Sequence, residues 1–463
     1  MTKARARKDA CLVNVAVLVL AGFCVGQPTV SLSRKSGPPT AELLVSGSGF
    51  DPGVIVDIYF GRTYRTQCVT GGKGNFSNTP LRVPREAKPG VHPVSAVEQP
   101  SGKSAKQQFL VQVNWRQLDF SPNGSRMNPY ENVLNPDTVG TLGLKWSFAA
   151  SQPVSSPAVV DGVVYVGSSD FNVYALDART GSLLWSYPAN AYVYSSPAVA
   201  NGVVYFGSGD WNVYALDART GSPLWKYRTA GQIASSPTVA SGVVYVGSGS
   251  PAGDGNLYAV NARTGSLLWK HPTASSVFSP PAVANGAVYV GAGDGNLYAL
   301  NASTGVELWS YPAGVYSLAS VANGVVYVGG GYTSQVYALS ASTGALLWSF
   351  TTGGYVFSTP TLTNGLVYVA SDNMYALDAR TGAKVWAYPT GSSPSSPAVA
   401  NGVVYVGSSD VYALNPATGA KLWSYSTGSS VDSSPAVANG VVYVGAGNNV
   451  YAFGLSRAEH VKQ

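Results

Sequence analysis

Charge is what this sequence has least of. Asp, Glu, Lys and Arg make up 11% of its 463 residues, against roughly a quarter in ordinary soluble domains. With Gly (53) and Tyr (29) abundant, that balance excludes a disordered or long-helical chain and favours strands. Histidine is nearly missing. His92, His271 and His460 stand far apart, too scattered to assemble a histidine zinc site or a Ser-His-Asp triad. Cysteine is as scarce: Cys11 and Cys24 fall in an apolar N-terminal run, leaving Cys68 alone. One thiol makes no intramolecular disulfide, and a small buried hydrophobe is its expected role. No haem-attachment Cys-x-x-Cys-His occurs. The net charge of +6 is unevenly placed, because residues 1–113 hold 14 Lys/Arg against 6 Asp/Glu and residues 114–463 hold 14 against 16. The larger part lacks the clustered cations that nucleic acid requires.

The chain begins as an exported protein would. Lys3, Arg5, Arg7 and Lys8 precede "CLVNVAVLVLAGFCVG", an h-region short for a membrane span. A signal peptide over 1–26 and a periplasmic or extracellular protein are expected. Phe23 before Cys24 spoils a lipobox, so a lipid anchor, like an uncleaved one, stands as an alternative. Residues 28–113 then read as short strands broken by turn residues, as in "LLVSGSGFDPGVIVDIYFG", and predict a small β-sandwich. Residues 114–143 form a polar connector rich in Pro and Asn, and 456–463 a tail.

Between them the chain repeats itself. Ser-Ser-Pro or its equivalent opens a unit at Ser155, Ser195, Ser235, Ser279, Ser317, Ser358, Ser395 and Ser433. A period near 40 residues with four alternating runs per unit is the mark of propeller blades. In each unit "SSPAV", "VVYVGS", "NVYALD" and "LLWSY" are strands, and a tight "ANG" hairpin joins the first two. The eighth unit stops after its third strand, and the missing fourth lies before the first unit as "LKWSF" at 144–148. The prediction is an all-β chain: an eight-bladed β-propeller over 144–455, closed by an N-terminal strand so that no sheet edge is left open. Trp146, Trp185, Trp225, Trp269, Trp309, Trp348, Trp386 and Trp423 recur in phase as blade-packing residues.

Seven units share Ala-x-[Asp/Asn/Ser]-x-x-Thr-Gly-x-x-x-Trp, from Ala175, Asp177, Thr180, Gly181 and Trp185 onward. This resembles the pyrroloquinoline-quinone (PQQ) repeat family, whose propellers include quinoprotein alcohol dehydrogenases and the outer-membrane β-barrel assembly lipoprotein. Likewise "GSGFDPG", "GNFS" and "PGVHPVSA" in 28–113 resemble the bacterial Ig-like (IPT/TIG) module. The motif encodes the blade rather than a cofactor. Dehydrogenases of the family are expected to hold PQQ under two adjacent cysteines, with Ca²⁺ bound by Glu, Asn and Asp. Here the repeats carry no cysteine, and Glu307 is their only Glu. The "GDGN" stretches at 253–256 and 293–296 offer one Asp each, too few for Ca²⁺ and suited to a turn.

These absences point to no catalytic residue, no metal and no cofactor, with PQQ and Ca²⁺ kept for an alternative, a polyvinyl-alcohol-type quinoprotein dehydrogenase. The expected function is an exported, non-catalytic binding or assembly scaffold, monomeric, whose partner is a protein or polysaccharide of the cell envelope. Its surface is sought where the copies disagree. The "ANG" and "ARTG" turns are uniform, while the loops of the opposite face vary and carry Phe171, Tyr194, Trp211, Phe278, Tyr316, Tyr332 and Phe357. These aromatics are the candidate partner-binding residues, with plugging of the funnel between blades as their structural alternative.

Overall fold

A computed structural model describes residues 27–249, 255–314, 316, 318–391 and 394–456. The signal segment, the tail with His460, and the first two residues of the "GDGN" at 253–256 lie outside the described residues. The chain divides into two units. The smaller takes residues up to 35, 42–82 and 92–109. It contains one antiparallel sheet of Thr29–Leu32, Glu42–Ser48 and Phe76–Arg82, and a second in which Ile55–Phe60 lies between Thr63–Val69 and Gly90–Gln99. Alternation puts Leu43, Val45, Val56, Ile58 and Phe109 inside. Cys68 is half-buried, not the buried hydrophobe expected, because Thr63–Val69 is an edge strand.

Among the described residues the larger unit holds eight sheets of four antiparallel strands, one of them extended by Met127–Asn128 pairing parallel to Ala398–Ala400. Their innermost strands are Ala158–Val160, Ala198–Ala200, Thr238–Ala240, Ala282–Ala284, Leu318–Ala322, Thr361–Thr363, Ala398–Ala400 and Ala436–Ala438. Each touches the next, and the last touches the first, so the sheets form a closed ring of blades, numbered here 1 to 8 in that order. The eighth is completed by Leu142–Ala149 pairing antiparallel with Asn449–Leu455, as the sequence predicts. Each inner hairpin turns on two residues of positive φ, for example Asn201 (51°) and Gly202 (76°). That is the demand of a two-residue turn matched to strand twist.

The repeated residues explain the ring's cohesion. Trp185 Nε1 donates to the carbonyl of Ala218 in the next blade at 3.0 Å, and the same bond recurs around the ring up to Trp146 and Ala178. The Thr-Gly glycine of the following blade lies under the indole. A Cβ on Gly221 would come within 2.8 Å of Trp185, so glycine is required there by contact as well as by its φ of 72°. The Ser-Ser-Pro residues act as latches: Ser195 Oγ receives Gly207 N within its blade, and Ser196 N donates to Ser236 Oγ of the next. Seven tyrosines reach across in the manner of Tyr205, whose hydroxyl donates to Ala262 O at 3.0 Å. The eighth, Tyr405, is buried with a hydroxyl that finds no partner among the described residues. The closing strand supplies no Thr-Gly turn at that place, and Trp423 bonds Leu142 O instead.

Residues 114–128 are more than a connector. They run along the inner edges of the blades on the hairpin-turn side. Trp115 exchanges two backbone bonds of 2.7 Å with Val159. Val199, Val283, Val321 and Val399 donate to the carbonyls of Arg116, Pro122, Asn123 and Arg126, and Val239 donates to Gln117 Oε1. Asn128 Nδ2 reaches Val437 O at 2.8 Å. Inner strands end with free backbone groups that must be paired when buried; this segment pairs them in seven blades. Gly124 (φ 76°) passes so close to blade 5 that a Cβ would lie 2.6 Å from Ala319 O.

Candidate functional site

At the centre of that plug is a buried ion pair. The Arg126 guanidinium, wholly buried, lies 3.2 Å from Asp119 Oδ1. It also donates to the carbonyls of Pro397 (3.1 Å), Pro435 (2.7 Å) and Leu118, and its carbon lies 5.5 Å from the centre of the Trp115 ring. Burial pushes the Asp119 carboxyl above its ordinary range, and the Arg126 charge pulls it partly back. With four of its five N–H donors engaged, Arg126 ties this segment to blades 7 and 8 inside the ring.

The other side is a mouth. A hollow of about 660 Å³ opens among blades 6, 7 and 8, lined by Tyr355, Phe357, Asp372, Ser395, Asp432 and Ser434 among others. Its wall follows from a local pattern in which every second residue before an inner strand faces outward. Val356 is fully buried while Tyr355 and Phe357 on either side are 59% and 43% exposed. Val193 sits the same way between Tyr192 and Tyr194.

The predicted aromatics divide into groups. Phe278, Tyr316, Tyr332 and Phe357 join in one run: Phe278 to Tyr316 at 5.4 Å, Tyr316 to Tyr332 at 6.4 Å, and Tyr332 to Phe357 at 4.8 Å between centroids. Tyr355, absent from the prediction, completes it at 5.5 Å from Tyr332. Its signal was the Tyr-Val-Phe alternation that places it beside Phe357. Tyr194 pairs instead with Tyr192, also missed, at 4.4 Å. Trp211 lies under the Arg228 guanidinium at 5.2 Å, and Phe171 is exposed nearer the rim. Phe171, Trp211 and Tyr316 have φ of 76°, 73° and 57°, while Gly295 occupies the Phe171 position of blade 4. Bulky side chains at positive φ are strained.

Carboxylates brace these loops. Asp170 accepts the Tyr174 hydroxyl at 2.8 Å, and Asp294 that of Tyr298 at 2.7 Å. Burial alone raises the Asp170 carboxyl, but the bonds from Tyr174, Asn172 and Ser151 outweigh it and hold the carboxyl below its ordinary value. In the 293–296 stretch Asp294 caps Asn296 N and Ala274 N, which makes it a turn brace, as expected. Glu307 is exposed on an outer strand.

Eight sheets closed by an N-terminal strand, seven of their junctions made by a Trp over a Thr-Gly turn, define a propeller of the PQQ-repeat class. The chain belongs to the family described as Outer membrane protein assembly factor BamB, whose model matches residues 94–250, 212–322 and 312–462. Among curated proteins it is similar to the 1-butanol dehydrogenase (cytochrome c) of Thauera butanivorans, 39% identical over 82 residues. That match covers 17% of this chain and 12% of the relative. The quinohemoprotein alcohol dehydrogenase of Comamonas testosteroni shares the fold with a TM-score of 0.64 at 19% identity, over 74% of this chain and 81% of that one. BamB of Moraxella catarrhalis does so with a TM-score of 0.58 at 19% identity, over 68% and 100%.

These relatives correct one expectation. The missing cysteine pair pointed to a propeller without a cofactor, yet the proteins that match include quinohemoprotein and quinone-dependent alcohol dehydrogenases. The absence of that pair therefore does not establish a propeller without a cofactor. The hollow does not fit that group as it is lined. A quinone bearing carboxylates meets Asp372 and Asp432 there, with no Lys, Arg or His in the lining. Among the described residues no three His, Cys, Asp or Glu converge to hold a metal ion.

Proposed function

We propose that this protein is a binding and assembly module of the cell envelope, exported by its N-terminal segment, which holds its partner on the variable-loop face of the ring. The observation that carries this reading is the aromatic run from half-buried Phe278 and Tyr316 to exposed Tyr332, Tyr355 and Phe357, ending at a hollow. Large rings that remain half-exposed together are the usual core of a protein's contact surface. Phe and Trp at positive φ where a sister blade uses glycine support it further, because local folding alone favours the glycine. The N-terminal unit serves as an Ig-like spacer, and the ring acts as a monomer.

Replacing Tyr332, Tyr355 and Phe357 together by Ala tests this. Partner affinity should fall at least a hundredfold, at roughly 1–3 kcal/mol for each covered ring, while the melting temperature stays within a few degrees. Unchanged affinity would move the site elsewhere, and unfolding would mark the rings as structural. The names of the curated relatives favour a second reading, a quinone-dependent alcohol dehydrogenase. Dye-linked alcohol oxidation after addition of the quinone and Ca²⁺ would establish it.

A further inference from the structure

We infer that the partner seated at this mouth is a cationic polypeptide segment, one that sets Lys or Arg side chains against the aromatic run. The inference rests on the binding reading above and names the class of partner. Charge on the variable-loop face is mostly acidic. The variable loops carry Asp170, Asp210, Asp294, Asp372, Asp410 and Asp432 among the described residues. Against these six carboxylates the same loops and adjoining strand ends set Arg228, whose guanidinium is held over Trp211. On the other face the turns are balanced, with Arg179, Arg219, Arg263 and Arg380 against Asp161, Asp177, Asp217 and Asp378. The acidic excess is therefore confined to the variable loops, and a low-charge chain has few charges to spare.

The arrangement at the hollow sharpens the choice. Asp432 is exposed and accepts from Ser430 Oγ at 2.5 Å, and Asp372, braced by Gly353 N and the Tyr375 hydroxyl, lines the same hollow as Tyr355. Ring faces and carboxylates together favour a cation, because the π-face and the carboxylate both attract it while the alkyl stem of Lys or Arg packs on the ring. An anionic ligand meets repulsion here. A neutral glycan would use the rings and leave the carboxylates without a counter-charge. A chain of alternating basic and apolar side chains satisfies both, and the acidic rim speeds its encounter.

The test is fluorescence anisotropy of the full chain with three probes: a labelled peptide alternating Lys and Leu, its Glu-for-Lys counterpart, and labelled cellohexaose. The Lys peptide should bind and the other two should not. Its affinity should fall roughly tenfold between low and molar salt, and about threefold to tenfold in Asp432→Asn, which removes an exposed charge without touching the core. Arg219→Gln on the opposite face should change nothing. Tyr355→Ala should weaken the Lys peptide as well. If the Glu peptide or the glycan binds and loses affinity in Tyr355→Ala, the mouth is a binding site and the cationic class is wrong. If the Lys peptide binds equally to Tyr355→Ala and Asp432→Asn, the mouth is not where it binds and the binding reading fails with it. Binding of none of the three overturns the inference.

Discussion

Arg126→Met removes the guanidinium that holds the plug to the ring. The side chain donates to the carbonyls of Pro397 in blade 7, Pro435 in blade 8 and Leu118 in the plug itself, and it neutralises Asp119. Methionine fills much of the volume and supplies none of the donors. The buried carboxylate then stands alone, and removing one partner of a buried pair costs about 3–5 kcal/mol. At roughly 2 °C per kcal/mol for a domain this large, the melting temperature should fall by about 6–10 °C, read by circular dichroism. The pH dependence identifies the cause. Burial already raises the Asp119 carboxyl, and losing Arg126 removes the charge that opposes the rise. A carboxyl raised on folding favours the folded state at low pH, and this support is lost as pH climbs through the raised value. The deficit of Arg126→Met should therefore be largest above neutral pH and shrink on acidification. Adding Asp119→Leu should recover most of the loss, since replacing a whole buried pair by apolar residues is close to neutral. A single variant that melts within a degree of the parent at every pH would refute the plug as a stabilising element.

Two further outcomes follow from the repeat and its exceptions. Tyr205→Phe breaks a buried interblade hydrogen bond and should cost about 1 kcal/mol, whereas Tyr405→Phe removes a hydroxyl with no partner and should be neutral or stabilising; equal losses in denaturant melts would contradict the difference. Burial raises the hydroxyls of Tyr174, Tyr298 and Tyr368 to about 12, helped at Tyr174 and Tyr298 by Asp170 and Asp294. A phenol raised on folding supports the fold fully below its ordinary value near 10 and loses that support as pH rises toward 12. Tyrosinate absorbance should accordingly lag that of free tyrosine above pH 10 and catch up abruptly as the ring unfolds. A smooth titration at the free value would overturn this.

The ring was legible in the chain because its information is local and repeated. Turn residues, alternation and the Trp spacing act within one unit or between neighbours, so eight copies state the same geometry, and the orphan strand at 144–148 shows where the circle closes. The face that varies was legible too, since divergence among copies needs no coordinates. The plug was not. Residues 114–128 belong to no repeat and show no strand period, and their partners are remote in the chain: Arg126 meets Pro435 across 309 residues. Nor could composition say which aromatics converge. Tyr194, Trp211 and Tyr332 look alike as loop residues, yet the ring sends Tyr332 to Phe357 of the next blade and leaves Trp211 under Arg228. Local pattern determined the blade, the count and the closing strand. Only the curvature of the closed ring, which brings successive loops around one axis, decided which side chains became a plug and which became a mouth.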